Sequence, residues 1–302
     1  MSKLGLALGG GGARGLAHIG VLKVLEQEGV EIHSITGCSM GSIVGGLYAH
    51  FGNASQVESF IMDFLTNSEF QELGISDLSD DVETDKGYFE EFFDYVSTRV
   101  RAVRTLTNPS YFSEETSEKI FSFIPDVPIE DFEINYSAIA TDIISGHEIN
   151  FTRGSLRDVV RASSAIQGIF PPVKIREYQL IDGSASGSVP VGKVKEIGAD
   201  RVLAVDVTRS LHSTEMPENV FEILYRAEDI TSFHLTEIRL KEADMIIRPK
   251  VKKLKWVDFH KAEKIIRAGE KVTQKNIEEI RKLANKNSFL LDFEHFIKRF
   301  SE

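Results

Sequence analysis

The chain opens on a short apolar run, LGLAL (Leu4–Leu8), ahead of a run of glycines, which predicts a buried strand. Behind it Leu16, Ile19, Leu22 and Leu25 recur at helical spacing, and Gly29 supplies a stop signal. HSITGCS then predicts a second strand. MGSIVGGLYAHF predicts an apolar helix buried on most sides and ending near Gly52. Strand, helix, strand, helix with short links is the pattern of a parallel sheet covered on both faces.

From about 54 to 125 the pattern becomes mostly helical and rich in aromatics. Phe89, Phe92, Phe93, Val96, Val100 and Val103 fall on one helical face, either a core-facing stripe or a lipid-facing or dimer surface. YSAIATDI (136–143) predicts the next strand, and GHEINFTRG the turn and second arm of a hairpin. The helix LRDVVRASSA runs to a stop at Pro171 and Pro172. Strands are expected at 178–182, 201–207 and 243–248, with a helix over about 219–240 between the last two. A long amphipathic helix occupies about 258–286, followed by a shorter one. No repeat or linker divides the chain, so residues 1–302 read as one α/β domain. Its expected form is a three-layer sandwich with a mainly parallel central sheet flanked by helices, a helical insertion at about 54–125 and a helical C-terminal extension at about 258–302.

Composition narrows the function classes. With 42% hydrophobic and 27% charged residues, the 302-residue chain can bury a full core. Cys38 is the single cysteine, which excludes an internal disulfide framework and a cysteine-rich zinc site. No signal-like segment or bilayer-length apolar run is visible, so a cytoplasmic location is the expectation, with peripheral membrane contact compatible with it. A net charge of -11 argues against general nucleic-acid binding. A local basic run from Arg248 to Lys264 surrounds Trp256 and reads either as a solvated face or as a lipid-headgroup contact.

The chemistry lies at the first two strand ends. LALGGGGARGLAH satisfies Gly-x-Gly-x-x-Gly through Gly10, Gly12 and Gly15, a dinucleotide fingerprint. That fold wants an acidic residue ending the second strand, whereas Glu31 precedes it. No Lys-Ser or Lys-Thr follows the loop, so a P-loop fails too. What ends the second strand is Gly37-Cys38-Ser39-Met40-Gly41, a Gly-x-Ser-x-Gly elbow between a strand and an apolar helix. Small residues at both ends let strand and helix close on a strained serine. A right-handed crossover brings both loops to one sheet edge, where N–H groups of Gly10, Gly11 and Gly12 can face an oxyanion formed at Ser39. For a base, a triad would recruit His212, His234 or His260. The best-placed carboxylate is Asp182, at the tip of YQLID; Asp142 and Asp206 read as structural.

These blocks resemble the patatin-like phospholipase family, whose bacterial members are described as lysophospholipases or esterases. The shared features are Gly10 to Gly15, Gly37 to Gly41, RASSAIQGIFPPV (161–173), Asp182-Gly183 and the C-terminal WVDFHKAEKIIRAGE. The resemblance implies a Ser–Asp dyad without a catalytic His: Ser39 as nucleophile, Asp182 as base, Gly10, Gly11 and Gly12 as the oxyanion loop, and Arg14 steadying that loop or the anion. It also implies no cofactor and no metal. Cys38 stands where Thr is common, Gln167 replaces a frequent Pro, and the common Asn before the Pro is missing from ASGSVP. None of these departures is expected to alter the two dyad residues themselves, and they leave room for an altered acyl pocket. The expected activity is hydrolysis of an acyl-ester lipid, phospholipase A or lysophospholipase in type. A simple carboxylesterase is the near alternative; a dinucleotide-dependent oxidoreductase and a silent lipid-binding module are the remote ones. Homo-oligomerisation is left open.

Overall fold

The computed structural model describes residues 2–68, 110–208, 211, 216–217, 220–251 and 253–285. The aromatic stripe at 89–103, His212 and the final helix beyond 286 lie outside them.

The first half follows the predicted alternation. β1 (Leu4–Leu8) leads through a glycine loop and a 3-10 turn (Gly12–Leu16) into α1 (Ala17–Gln27). Gly29 ends that helix at φ 64°, a left-handed position that glycine occupies without a Cβ clash. β2 (Ser34–Gly37) passes into α2 (Met40–Phe51), which Gly52 stops at φ 65°. α3 (Ala54–Thr66) is capped by the Asn53 side chain, which accepts from the Gln56 N–H at 2.8 Å. α4 (Glu114–Phe121) follows, then β3 (Asn135–Asp142) and β4 (Glu148–Phe151) as the expected hairpin.

α5 (Leu156–Ser163) ends well ahead of the prolines. β5 (Val173–Ile175) pairs with β6 (Tyr178–Asp182), and α6 (Val191–Glu196) leads to β7 (Arg201–Val205). Then come α7 (Val220–Leu240), β8 (Met245–Ile247) and α8 (Ala262–Asn285). α8 starts after a 3-10 turn at Phe259–Lys261 rather than at 258. Neither β5 nor α6 was expected, because three and six residues are too few for a period to register.

The strands form one sheet in the order β5-β6-β3-β2-β1-β7-β8, with β4 also on β3. β3, β2, β1, β7 and β8 are parallel, while β4, β6 and β5 add antiparallel pairs, so the sheet is mixed with a parallel centre. β1 lies in the middle, and its alternation decides what packs where. Leu4, Leu6 and Leu8 join the large core under α1, α2, α3 and α8. Ala7, on the opposite face, meets Val189, Val191, Val194 and Leu240 around α6 and the end of α7. The two strand ends that matter, after β1 and β2, emerge side by side at the sheet's edge.

Candidate active site

The elbow follows from crowding. A Cβ on Gly41 would run into the Leu8 carbonyl, and one on Gly37 into the backbone of Gly41 and Ser42. With both ends of the turn pressed against neighbouring backbone, Ser39 is left at φ 51°, ψ −123°. Arg176 is the other non-glycine residue at positive φ among the described residues. Such strain persists only where the surroundings over-determine it. Here the Ser39 N–H donates to Ser163 Oγ at 3.0 Å, and Ser42 Oγ donates to the Ser39 carbonyl at 2.7 Å. The Cys38 N–H continues the β1 ladder to the Leu8 carbonyl at 3.0 Å. Ser39 itself is 6% exposed.

Asp182 closes β6 and is 1% exposed. Its Oδ1 accepts the Ser184 N–H at 2.8 Å and faces the Cys38 Sγ at 3.7 Å. Oδ2 is buried and has no hydrogen bond of good geometry, although the Ser39 hydroxyl is close enough to favour the ionised carboxylate. Burial is the larger effect and raises the Asp182 pKa above the ordinary carboxylate value. Gly183 is required beside it, because a Cβ would overlap the Ile139 carbonyl. Glu228 on α7 lies within electrostatic reach and is pushed up to about 7, by burial first and then by Asp229 and Asp182.

The glycine loop meets this pair closely. A Cβ on Gly10 would sit 3.3 Å from Ser39 Cβ. Its three glycines are not equivalent donors. The Gly10 N–H already donates to the Ser188 carbonyl at 3.0 Å. Among the described residues the N–H groups of Gly11 and Gly12 have no acceptor, nor does that of Met40, the first residue of α2. Arg14 is buried and donates from Nε to the Gly11 carbonyl at 3.2 Å, which ties it to the loop.

The histidines stand elsewhere. His234 and His260 are exposed, and His18 is fully buried. His18 Nε2 lies 2.7 Å from the Gly9 carbonyl, so that nitrogen carries the proton and donates. Burial lowers its pKa to about 4, which keeps the ring neutral. Asp206 is occupied by Arg248 at 2.7 Å and by the Thr208 N–H at 2.9 Å; Asp142 accepts from the Ser145 and Gln179 N–H groups. Both are structural. Glu31 is exposed in the link before β2.

Beside Ser39 lies a cavity of about 110 Å³ with an almost wholly apolar lining. Ile61 and Phe64 come from α3, Phe112 and Phe121 from the stretch around α4, and Phe170 from the segment before β5. Trp256 completes the lining. It is 7% exposed, so it packs inward, as the anchoring aromatic of a solvated face does, rather than standing at a headgroup boundary. Its carbonyl accepts the Ala13 N–H at 2.7 Å, and its side chain fills the space beside Gly12. Sequence reasoning missed Ser163, Met40 and His18. Only the burial of polar residues could have flagged the first and third; a free backbone N–H leaves no sequence signal.

The family model described as Patatin-like phospholipase matches residues 6–194. Lysophospholipase NTE1 of Meyerozyma guilliermondii is 31% identical over 295 residues, covering 88% of this chain and 18% of that protein. An uncharacterized NTE family protein of Mycobacterium tuberculosis is 32% identical over 215 residues, covering 69% of this chain and 50% of its own length. The chain thus spans about a fifth to a half of these relatives. Among solved structures, VipD from Legionella pneumophila aligns over 92% of this chain and 67% of its own at 12% identity and a TM-score of 0.46.

Proposed function

The chain belongs to the patatin-like phospholipase family, and from that premise we propose that it hydrolyses acyl-ester lipids of the lysophospholipid or phospholipid class through a Ser39–Asp182 dyad. One observation carries the reading. A serine held at a left-handed φ faces a buried carboxylate that has one oxygen without a good hydrogen bond.

In this mechanism Asp182 Oδ2 takes the Ser39 proton as Oγ attacks the ester carbonyl. A carboxylate raised by burial is a stronger base than an exposed one. The tetrahedral oxyanion is met by N–H groups that have no acceptor among the described residues, those of Gly11, Gly12 and Met40, and by the N-terminal end of α2. Gly10 serves differently: lacking a side chain, it leaves the carbonyl room to approach. Asp182 returns the proton to the departing alcohol. It then deprotonates the water that releases the fatty acid from Ser39. The aromatic and aliphatic cavity beside Ser39 suits the acyl chain.

A fluorophosphonate probe is expected to label one site, and Ser39→Ala to abolish both labelling and hydrolysis across a panel of lysophospholipid, phospholipid and simple esters. Retained labelling in that variant removes Ser39 from the mechanism. Asp182→Asn is expected to lower turnover by about 10²–10⁴-fold while raising the thermal midpoint. The sign follows from the raised pKa. An ionised Asp182 opposes folding increasingly as pH rises above the ordinary carboxylate value, and Asn removes that charge. A variant both inactive and less stable argues for a structural Asp182.

A further inference from the structure

Of the eight large hydrophobic side chains exposed among the described residues, five belong to α7: Val220 (67%), Ile223 (49%), Leu224 (60%), Ile230 (37%) and Ile238 (59%). Scattered singly they would need no explanation, but at 100° per residue all five fall within an arc of about 120°. Ala227, Thr231 and His234 share that arc, and all three are exposed. Arg226 and Glu237 border it on one side and Glu228 and Arg239 on the other. The face carries no Asp, Glu, Lys or Arg over roughly 27 Å of helix.

The same helix flanks the catalytic carboxylate. Arg239 packs against Gly187, five residues past Asp182, and pairs with Glu148 at 2.5 Å. Both Arg239 and Glu148 are within electrostatic reach of Cys38, next to Ser39. Glu228, about three turns toward the helix start, senses Asp182.

We propose that the outward face of α7 seats the protein on a neutral, zwitterionic lipid surface, holding the Ser39–Asp182 site against the aggregate from which its substrate is drawn. This rests on the lipid-hydrolase reading for its purpose, though not for its binding measurement. Three arguments favour lipid over another occupant. A strip of one helix offers roughly 300 Å², well under the ~800 Å² per partner of a stable protein interface, whereas a bilayer sets no such minimum. Each border of the arc carries one cation and one anion, and the chain is at -11, so nothing draws it to anionic headgroups. No described helix is long and apolar enough to cross a membrane, so α7 lies on the surface rather than through it.

The test uses the full chain carrying Ser39→Ala, so that binding is read without turnover. Flotation with phosphatidylcholine vesicles is expected to recover the protein at low and high salt alike. Adding phosphatidylglycerol is expected to bring no gain. Ile223→Asp with Leu224→Asp is expected to reduce partition by about tenfold or more. In the Ser39 background the same pair is expected to leave turnover of a water-soluble short-chain ester within about twofold. Leu224→Ser with Ile230→Ser is the milder second variant, used where the aspartates lower the thermal midpoint. No vesicle binding, unchanged partition of both variants, or a dimer in sedimentation that the variants dissociate would each overturn the proposal. Vesicle binding without Ser39-dependent ester turnover overturns the hydrolase reading alone and leaves the docking face standing.

Discussion

His18 is the residue whose role is plainest in energetic terms. It is fully buried, gives its Nε2 proton to the Gly9 carbonyl and stands next in the fold to the loop that Ser39 faces. A pKa of about 4 instead of 6.5 means that the folded protein binds this proton more weakly than the unfolded chain does. The stability it permits is intact above pH 6.5 and is lost as pH falls toward 4, with about 3 kcal/mol at stake over that window. His18→Gln keeps a donor for Gly9 and cannot charge. Urea unfolding across pH 6.5 to 4 should therefore fall more steeply for the parent chain than for the variant. Parallel curves for the two would show that His18 is not the acid-sensitive group. Cys38 bears on Asp182 in a quieter way: its thiol, itself raised well above its usual value by burial and by Asp182, faces Oδ1, the same oxygen that accepts the Ser184 N–H.

Glycine decides how closely the elements approach, and it does so in two separable places. On α1 and α8, Gly20 and Gly269 let the two backbones touch: a Cβ on Gly20 would meet the Ile266 carbonyl, and one on Gly269 the Ala17 carbonyl. At the elbow, Gly41 does the same for α2 and β1. Gly20→Ala should cost about 1–3 kcal/mol of stability and leave probe labelling of the folded protein within about twofold. Gly41→Ala should lose labelling, because the Ser39 turn itself must open. Equal loss of labelling in both would mean that the helix crossing, not the elbow, sets the site. Of these elements, β1, α1, β2 and α2 were legible because their apolar spacing and their glycine stops agree. Gly37 to Gly41 was legible because the tight turn needs those residue types. β6 was legible as a strand at 178–182, but its antiparallel direction was not, and β5 was not legible at all. The register of β6 with β3 is decided by pairing across more than thirty residues, and Asp182 owes its place beside Ser39 to that pairing. The contact of Ser163 with the Ser39 N–H spans 124 residues, and neither serine is distinctive alone.

At the scale of the whole molecule, the glycine loop is held by chain that lies far beyond the proposed dyad. Asp182 is the last of the proposed catalytic groups, and a chain ending at Gly198 would still contain every one of them. Yet the Gly9 N–H is anchored on the Val205 carbonyl at 3.1 Å and the Ala13 N–H on the Trp256 carbonyl at 2.7 Å. Gly12 has its conformation, φ 57°, packed directly against Trp256. Removing residues 199–302 would strip β7 from β1, open the centre of the sheet as an edge, and expose β1 residues that are wholly buried on both faces. It would also remove α8, whose glycine contact covers α1. The shortened chain is therefore expected to lose cooperative thermal unfolding and fluorophosphonate labelling together, with full-length protein as the control. Were it to stay soluble, melt cooperatively and label at Ser39 at the full-length rate, the loop would have to be organised by the first two strand–helix units alone, and the anchors on Val205 and Trp256 would be incidental to catalysis.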